Sequence, residues 1–112
     1  KDTVAGLIAI MNLDSPNKAC EVGYWLGEEF QGKGIVTKSC RTLIGGLFEK
    51  EGMRRVQIRA AKGNRRSRAI PERLGFLLEG IQRQAELVNG RFYDLAMYSV
   101  LADEWYEKNE QR

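Results

Sequence analysis

The chain has 112 residues and a mass of 12.7 kDa, enough polypeptide for one domain and not two. Hydrophobic residues make up 43% and charged residues 29%, with a formal net charge of +3; that balance excludes wholesale disorder and collagen-like repetition. Histidine is absent, which excludes a Ser-His-Asp triad, a Cys-His dyad and an HExxH metal site, while two cysteines, Cys20 and Cys40, leave no zinc-finger spacing and fit a reducing cytosol.

Residues 3–11 (TVAGLIAIM) are continuously apolar and read as a buried strand. The run is far shorter than the ~20 residues that span a bilayer. No cationic stretch with an apolar core opens the chain as a secretory signal would, so the expected setting is the cytoplasm, with no membrane partner. Residues 12–18 (NLDSPNK) are turn chemistry. Residues 20–27 (CEVGYWLG) read as a second strand, antiparallel to the first, in which Gly23 marks a bulge or a close backbone approach. A glycine-bearing loop follows at 28–34. From 35 to 50 the apolar positions Val36, Cys40, Leu43, Ile44, Leu47 and Phe48 trace one face of a helix, with Gly52 as its stop.

The next segment, 54–61, alternates: Val56, Ile58 and Ala60 point one way, Gln57 and Arg59 the other, which is a strand. Strand, helix, strand in this order predicts a right-handed crossover, so 20–27 and 54–61 run parallel. Residues 64–74 read as a short helix capped by Asn64 or Ser67, ended by Gly75, and shortened or kinked by Pro71. Residues 76–88 and 92–100 flank Asn89-Gly90, a pair suited to the type I′ turn of a hairpin. A short, frayed helix closes the chain over 101–110. No internal repeat, low-complexity segment or linker interrupts it.

Two features suggest chemistry. Between residues 54 and 73, Arg54, Arg55, Arg59, Lys62, Arg65, Arg66, Arg68 and Arg73 face only Glu72. Such a run is either a solvated face or an anion site, for a phosphorylated cofactor or for nucleic acid. The lack of aromatics to stack bases weighs against nucleic acid, and DNA is not expected as a partner. The second feature is QGKGIVT (Gln31, Gly32, Lys33, Gly34, Ile35, Val36, Thr37), between a strand and an amphipathic helix. Its glycines let backbone amides converge, and the helix N-terminus adds about half a positive charge, so a pyrophosphate is a natural guest. It is neither a P-loop, since no Lys-Ser/Thr follows the second glycine, nor a dinucleotide fingerprint, since the third glycine is missing. Taken alone, a GxG before a helix is more often a plain tight turn.

The order CEVGYWLG, QGKGIVT, RRVQIRA and NRRSRAIPERLGF resembles the GCN5-related N-acetyltransferase (GNAT) superfamily, and within it the ribosomal-protein N-acetyltransferase branch of RimJ/RimL type. Gln31 and Gly34 match the superfamily's coenzyme A loop, and Val36 stands where Gly or Ala is usual. Asn64, Ser67, Gly75 and Phe76 match its later Asn-x-x-Ser and Gly-Phe pattern, and QAELVNGRFYDLAMYSV (84–100) resembles the terminal hairpin of ribosomal-protein serine acetyltransferases. The resemblance implies an α/β (α+β) GNAT fold: a mixed twisted sheet with a splayed central parallel pair and helices on both faces. It also implies that the family's first strand and the two helices after it have no counterpart here, so that residues 1–112 form the C-terminal portion of a single GNAT domain.

The implied activity is acetyl-CoA-dependent transfer of an acetyl group to the α-amino group of a protein N-terminus, with a ribosomal protein as acceptor. Glu86 is then the base, acting through water, and Ser67 the proton donor to the leaving thiolate. Tyr24, Trp25 and Leu26 hold the pantetheine arm by strand-type hydrogen bonds, residues Gln31 to Thr37 hold the pyrophosphate, and Asn64 and Ser67 line the cofactor's other side. No metal is implied. Arg65, Arg66 and Arg68 contact cofactor phosphates or face water. Tyr24, Tyr93 and Tyr98 read as packing residues and Cys40 as core. Alternatives are a small-amine (polyamine or antibiotic) acetyltransferase, a non-catalytic RNA- or ribosome-binding module using the basic stretch, and a fold remnant serving in a homodimer.

Overall fold

The computed structural model describes residues 6–26 and 34–110. Its elements in chain order are β1 (Gly6–Asp14), β2 (Ala19–Leu26), α1 (Ile35–Glu49), β3 (Arg55–Ala61), α2 (Arg65–Arg73), β4 (Leu77–Val88), β5 (Arg91–Leu101) and α3 (Ala102–Glu110). They form one mixed five-stranded sheet in the order β1-β2-β3-β5-β4, in which only β2 and β3 run parallel. The strands on either side of α1 are therefore parallel neighbours, as predicted.

One face of the sheet carries the core. Cys20 and Val22 of β2, Val56 and Ile58 of β3, and Ala96, Tyr98 and Val100 of β5 are buried there. Against them pack Val36, Cys40, Ile44, Leu47 and Phe48, the α1 stripe expected from its periodicity. Trp105 of α3 meets Phe48 with ring centroids 6.0 Å apart. All three helices contribute to this core; among the described residues none lies on the second face. Burial pushes the Cys40 thiol up to about 11, which suits a core residue and not a nucleophile. Among the described residues no helix is long and apolar enough to cross a membrane.

The first strand differs from its sequence reading. It runs to Asp14, three residues past the expected end, through a register shift between Met11 and Asp14 at which Asn12 has φ 49°. Nor is it buried, since Leu7 is 63% and Leu13 59% exposed. The cause is position: β1 is an edge strand, and only Ile8 on its inner side packs against the core. The reversal to β2 is held by Asp14, whose Oδ1 accepts the Asn17 N–H at 3.1 Å. Gly23 makes the close approach its sequence context suggested, to a side chain and not to backbone: a Cβ there would lie 2.6 Å from Met11 Cε.

Hairpin β4–β5 turns through Asn89 (φ 52°) and Gly90 (φ 77°), the two positive φ angles that a type I′ turn requires. Strand β4 is not regular: its register to β5 shifts between Leu78 and Gly80 and again between Gln82 and Glu86. In the second shift Gln84 has φ 47° and donates its N–H to Asp94 Oδ1 at 2.8 Å. That bulge re-aims the strand just before Glu86, which sits opposite Tyr93.

The second face is polar. Buried Glu21 accepts from Asn12 Nδ2 (2.7 Å), Gln57 Nε2 (3.2 Å) and Arg59 Nε (3.0 Å). Further along, Arg55 forks onto both carboxylate oxygens of Glu79 at 2.9 Å, and Ser99 Oγ donates to Glu79 at 2.6 Å.

Two outcomes follow for stability. Ile44 is fully buried beneath the sheet, so Ile44→Ala should cost ~2–5 kcal/mol in urea unfolding, through lost transfer energy plus a cavity. The Arg55 fork and then the Ser99 hydroxyl lower the Glu79 carboxyl from 4.5 to about 2. A carboxylate lowered on folding stabilises above its unfolded value and loses that contribution as pH falls toward the folded one. The urea midpoint should therefore drop between about pH 4.5 and 2, and Glu79→Gln should flatten that part of the profile.

Candidate functional site

The site begins where two parallel strands part. β2 and β3 pair at Ala19↔Arg55, Cys20↔Val56 and Glu21↔Gln57, and there the ladder stops. β2 continues to Leu26 paired only with β1, and β3 continues to Ala61 paired with β5. From Val22 and Ile58 onward the facing strand edges have no partner in each other. Backbone N–H and C=O groups demand partners, so this fork is shaped to receive an extended chain with its own donors and acceptors.

The N-terminus of α1 lies at the mouth of the fork. Gly34, its N-cap, has φ 73°, a left-handed conformation that glycine adopts at little cost. A Cβ there would meet nothing within 4 Å, so conformation and not space calls for glycine. The amides of residues 35–37 begin the helix and have no intrahelical acceptor, which makes an anion site. Helix α2 lies across the fork from β2. Asn64 caps it, its Oδ1 accepting the Ser67 N–H at 3.0 Å, which settles the choice between Asn64 and Ser67 as cap. Pro71 stands inside the helix without ending it. Tyr24 of β2 donates its hydroxyl to the Ser67 carbonyl at 2.7 Å. Burial raises the Tyr24 phenol far above its usual range, so it stays a donor.

Two hollows meet at this point. The first, of about 320 Å³, is lined by Tyr24, Trp25, Gly34, Val36, Thr37, Asn64 and Ser67, together with Arg66, Ala69, Ile70 and Arg73. The second, of about 600 Å³, opens on the polar face and is lined by Glu21, Arg59, Glu86 and Leu95 among others. Tyr24, Trp25, Asn64 and Ser67 belong to both. A molecule lying in the first hollow would thus reach the second beside Ser67, with the exposed Glu86 carboxylate in its wall.

The residues singled out from sequence divide accordingly. Seven of the expected cofactor residues line the first hollow, as named above. Leu26 lies at the free end of β2, paired with Gly6. The Ile35 side chain is 37% exposed and does not line the hollow, although its amide belongs to the first turn of α1. Gln31, Gly32 and Lys33 lie outside the described residues. Tyr98 is buried, donating to Glu72 Oε2 (2.7 Å) and accepting from Arg68 Nε (2.9 Å), and Tyr93 lies under Arg91 at 5.4 Å.

The basic stretch is dispersed. Arg54, Arg55 and Arg59 pair with Asp103, Glu79 and Glu21, and Arg68 is held by Tyr98 and the Lys62 carbonyl. Of the helix arginines, Arg66 and Arg73 line the first hollow. Arg73 belongs to the basic run but not to the arginines the resemblance set against cofactor phosphates, yet the spacing 66, 69, 70, 73 is one face of a helix and could have located it. Glu21 was missed because nothing local marks a strand glutamate as buried. Among the described residues no cluster of Cys, Asp and Glu could hold a metal ion.

Comparison with known proteins accords with this geometry. Residues 1–77 match the family described as Acetyltransferase (GNAT) domain. The chain is 50% identical over 103 residues to the "Putative ribosomal N-acetyltransferase YdaF" of Bacillus subtilis, covering 92% of this chain and 56% of that protein. It is 34% identical to the ribosomal-protein-serine acetyltransferase of Escherichia coli, covering 92% and 58%. A solved structure of RimL, a ribosomal L7/L12 alpha-N-protein acetyltransferase, in complex with coenzyme A superposes with a TM-score of 0.84 at 37% identity, covering 89% and 56%. The chain thus spans a little over half the length of these relatives.

Proposed function

The chain belongs to the GNAT acetyltransferase family, and on that footing we propose that its forked strand pair binds acetyl-CoA and serves transfer of the acetyl group to the α-amino group of a protein N-terminus, with a ribosomal protein as acceptor. The observation that carries this reading is the end of the β2–β3 ladder at Glu21↔Gln57, with Ser67 at the junction of the two hollows beyond it and Glu86 in the wall of the second.

The residues present fit the cofactor. Unpaired strand edges suit the amides of a pantetheine arm, the first turn of α1 suits a pyrophosphate, and Arg66 and Arg73 add positive charge to the same wall. Bound acetyl-CoA supplies an activated acetyl thioester. A backbone N–H near Leu26 would polarise the thioester carbonyl, a role of the oxyanion-hole type. Glu86, through a water, takes the proton that the attacking amine must lose, and the Ser67 hydroxyl gives a proton to the departing sulfur. One C–N bond forms and one C–S bond breaks.

Acceptor chemistry favours a terminal amine. An α-amino group titrates near ~7.7–8.0 and a lysine near ~10.4, so the former is easier to deprotonate by roughly 3–4 kcal/mol. A single carboxylate acting through water is enough base for it. The names of the relatives at 50% and 34% identity support a ribosomal acceptor, and that of the RimL structure, an alpha-N-protein acetyltransferase, supports an α-amino group.

In a free-thiol release assay with acetyl-CoA and N-terminal peptides, Glu86→Gln should lower kcat ~10²–10⁴-fold while leaving coenzyme A affinity in calorimetry near that of the wild type. A polyamine turned over in preference to every peptide would overturn the acceptor assignment. Arg73→Ala should weaken coenzyme A by roughly tenfold or more, the scale of one lost charge-assisted hydrogen bond, and less so as salt is raised.

A further inference from the structure

A proline inside a helix removes one backbone donor, and the carbonyl four residues earlier loses its partner. In α2 the proline is Pro71, fully buried, and the carbonyl is that of Ser67. The donor on that carbonyl is the Tyr24 hydroxyl, at 2.7 Å and 43 residues away in sequence. Tyr24 stands on the stretch of β2 that has already left β3, and Ser67 stands on the opposite wall of the first hollow. Beyond the last ladder pair, this side-chain hydrogen bond ties the free arm of β2 to α2.

We propose that Tyr24 is a positioning residue that sets the width of the fork, its hydroxyl strapping the free arm of β2 to the helical carbonyl that Pro71 leaves without a backbone donor. The strap acts on the site in two ways. It fixes the separation between the Trp25–Leu26 backbone and the N-terminal turn of α2. It also holds, by the backbone carbonyl, Ser67, which lines both hollows. This inference rests on the proposed cofactor site but not on the identity of the acceptor.

The chemistry supplies a control that separates strapping from mere satisfaction of a carbonyl. Pro71→Ala restores an N–H at position 71, which can reach the Ser67 carbonyl within the helix but ties nothing to β2. Four proteins are compared: wild type, Tyr24→Phe, Pro71→Ala and the double variant. Tyr24→Phe should lower Tm and weaken coenzyme A about tenfold, the effect of one lost hydrogen bond. Measured against Pro71→Ala, the same change should cost clearly less Tm, because the carbonyl now has a donor, yet the tenfold loss of affinity should persist. Affinity recovering together with Tm, or an unchanged affinity in Tyr24→Phe, would overturn the proposal. If the wild type itself binds no coenzyme A, the functional reading fails, and amide exchange decides the strap. Exchange over residues 22–26 should then quicken about tenfold in Tyr24→Phe in both backgrounds, and unchanged exchange would remove the strap as well.

Discussion

The rest of the site depends on the hydrogen bonds that β2 and β3 do not make with each other. Three residue pairs join them, ending at Glu21↔Gln57, although both strands run on for several residues. A parallel pair buried at the centre of a sheet ordinarily stays zipped, because an unmet backbone group away from water is expensive. A fork in that place is sustained only if other interactions hold its arms and if something else meets the exposed edges. The first condition is met by this chain's own residues; the second is the physical content of a binding site for an amide-bearing ligand.

The arms are held from three sides. Under the fork, Val22 and Ile58 are fully buried against the α1 stripe, so each arm is anchored by its own apolar contact. On the polar face, Glu21, the last ladder residue of β2, accepts from both Gln57 and Arg59 of β3. A side-chain network thus closes the crotch where the backbone network ends. Glu21 is the buried member, so removing its donors would leave a buried carboxylate uncompensated, at a cost beyond the net contribution of the bonds themselves. At the open end, β1 holds the far side of β2, and β5 the far side of β3, in register to Leu26 and Ala61. The fork is therefore over-determined by packing, charge and pairing together.

Much of this could be read from the sequence, and the remainder has a common cause. The α1 stripe, the alternation of β3, the Asn89-Gly90 turn and the Asn64 cap are local signals of period and turn chemistry, and the structure carries each of them. Periodicity describes a segment's own faces and is blind to what stands opposite. The continuous apolar run of β1 therefore read as buried although Leu7 and Leu13 are exposed at a sheet edge. The second kink in β4 depends on Asp94 of the partner strand accepting the Gln84 N–H, and no pattern within 77–88 contains that residue. Glu21 owes its burial to Asn12, Gln57 and Arg59, which lie on two other strands.

The arginine-rich stretch shows how periodicity turns one linear feature into several spatial ones. On β3 the period of two sends Arg55 and Arg59 to the same face, where carboxylates from β2 and β4 meet them. On α2 the period of 3.6 places Arg66 and Arg73, seven residues apart, on the stripe that includes Ala69 and Ile70 and lines the first hollow. Arg68 falls between stripes and reaches inward to Tyr98 and Lys62. Half of the basic run, Arg54, Arg55, Arg59 and Arg68, is thus spent on internal pairing. Two guanidinium groups share one wall with the N-terminal amides of α1, whose partial positive charge has the same sign. Fields that add in a cleft raise the local concentration of an anion and orient its approach, so this end of the fork carries the field that the proposed cofactor's phosphates call for.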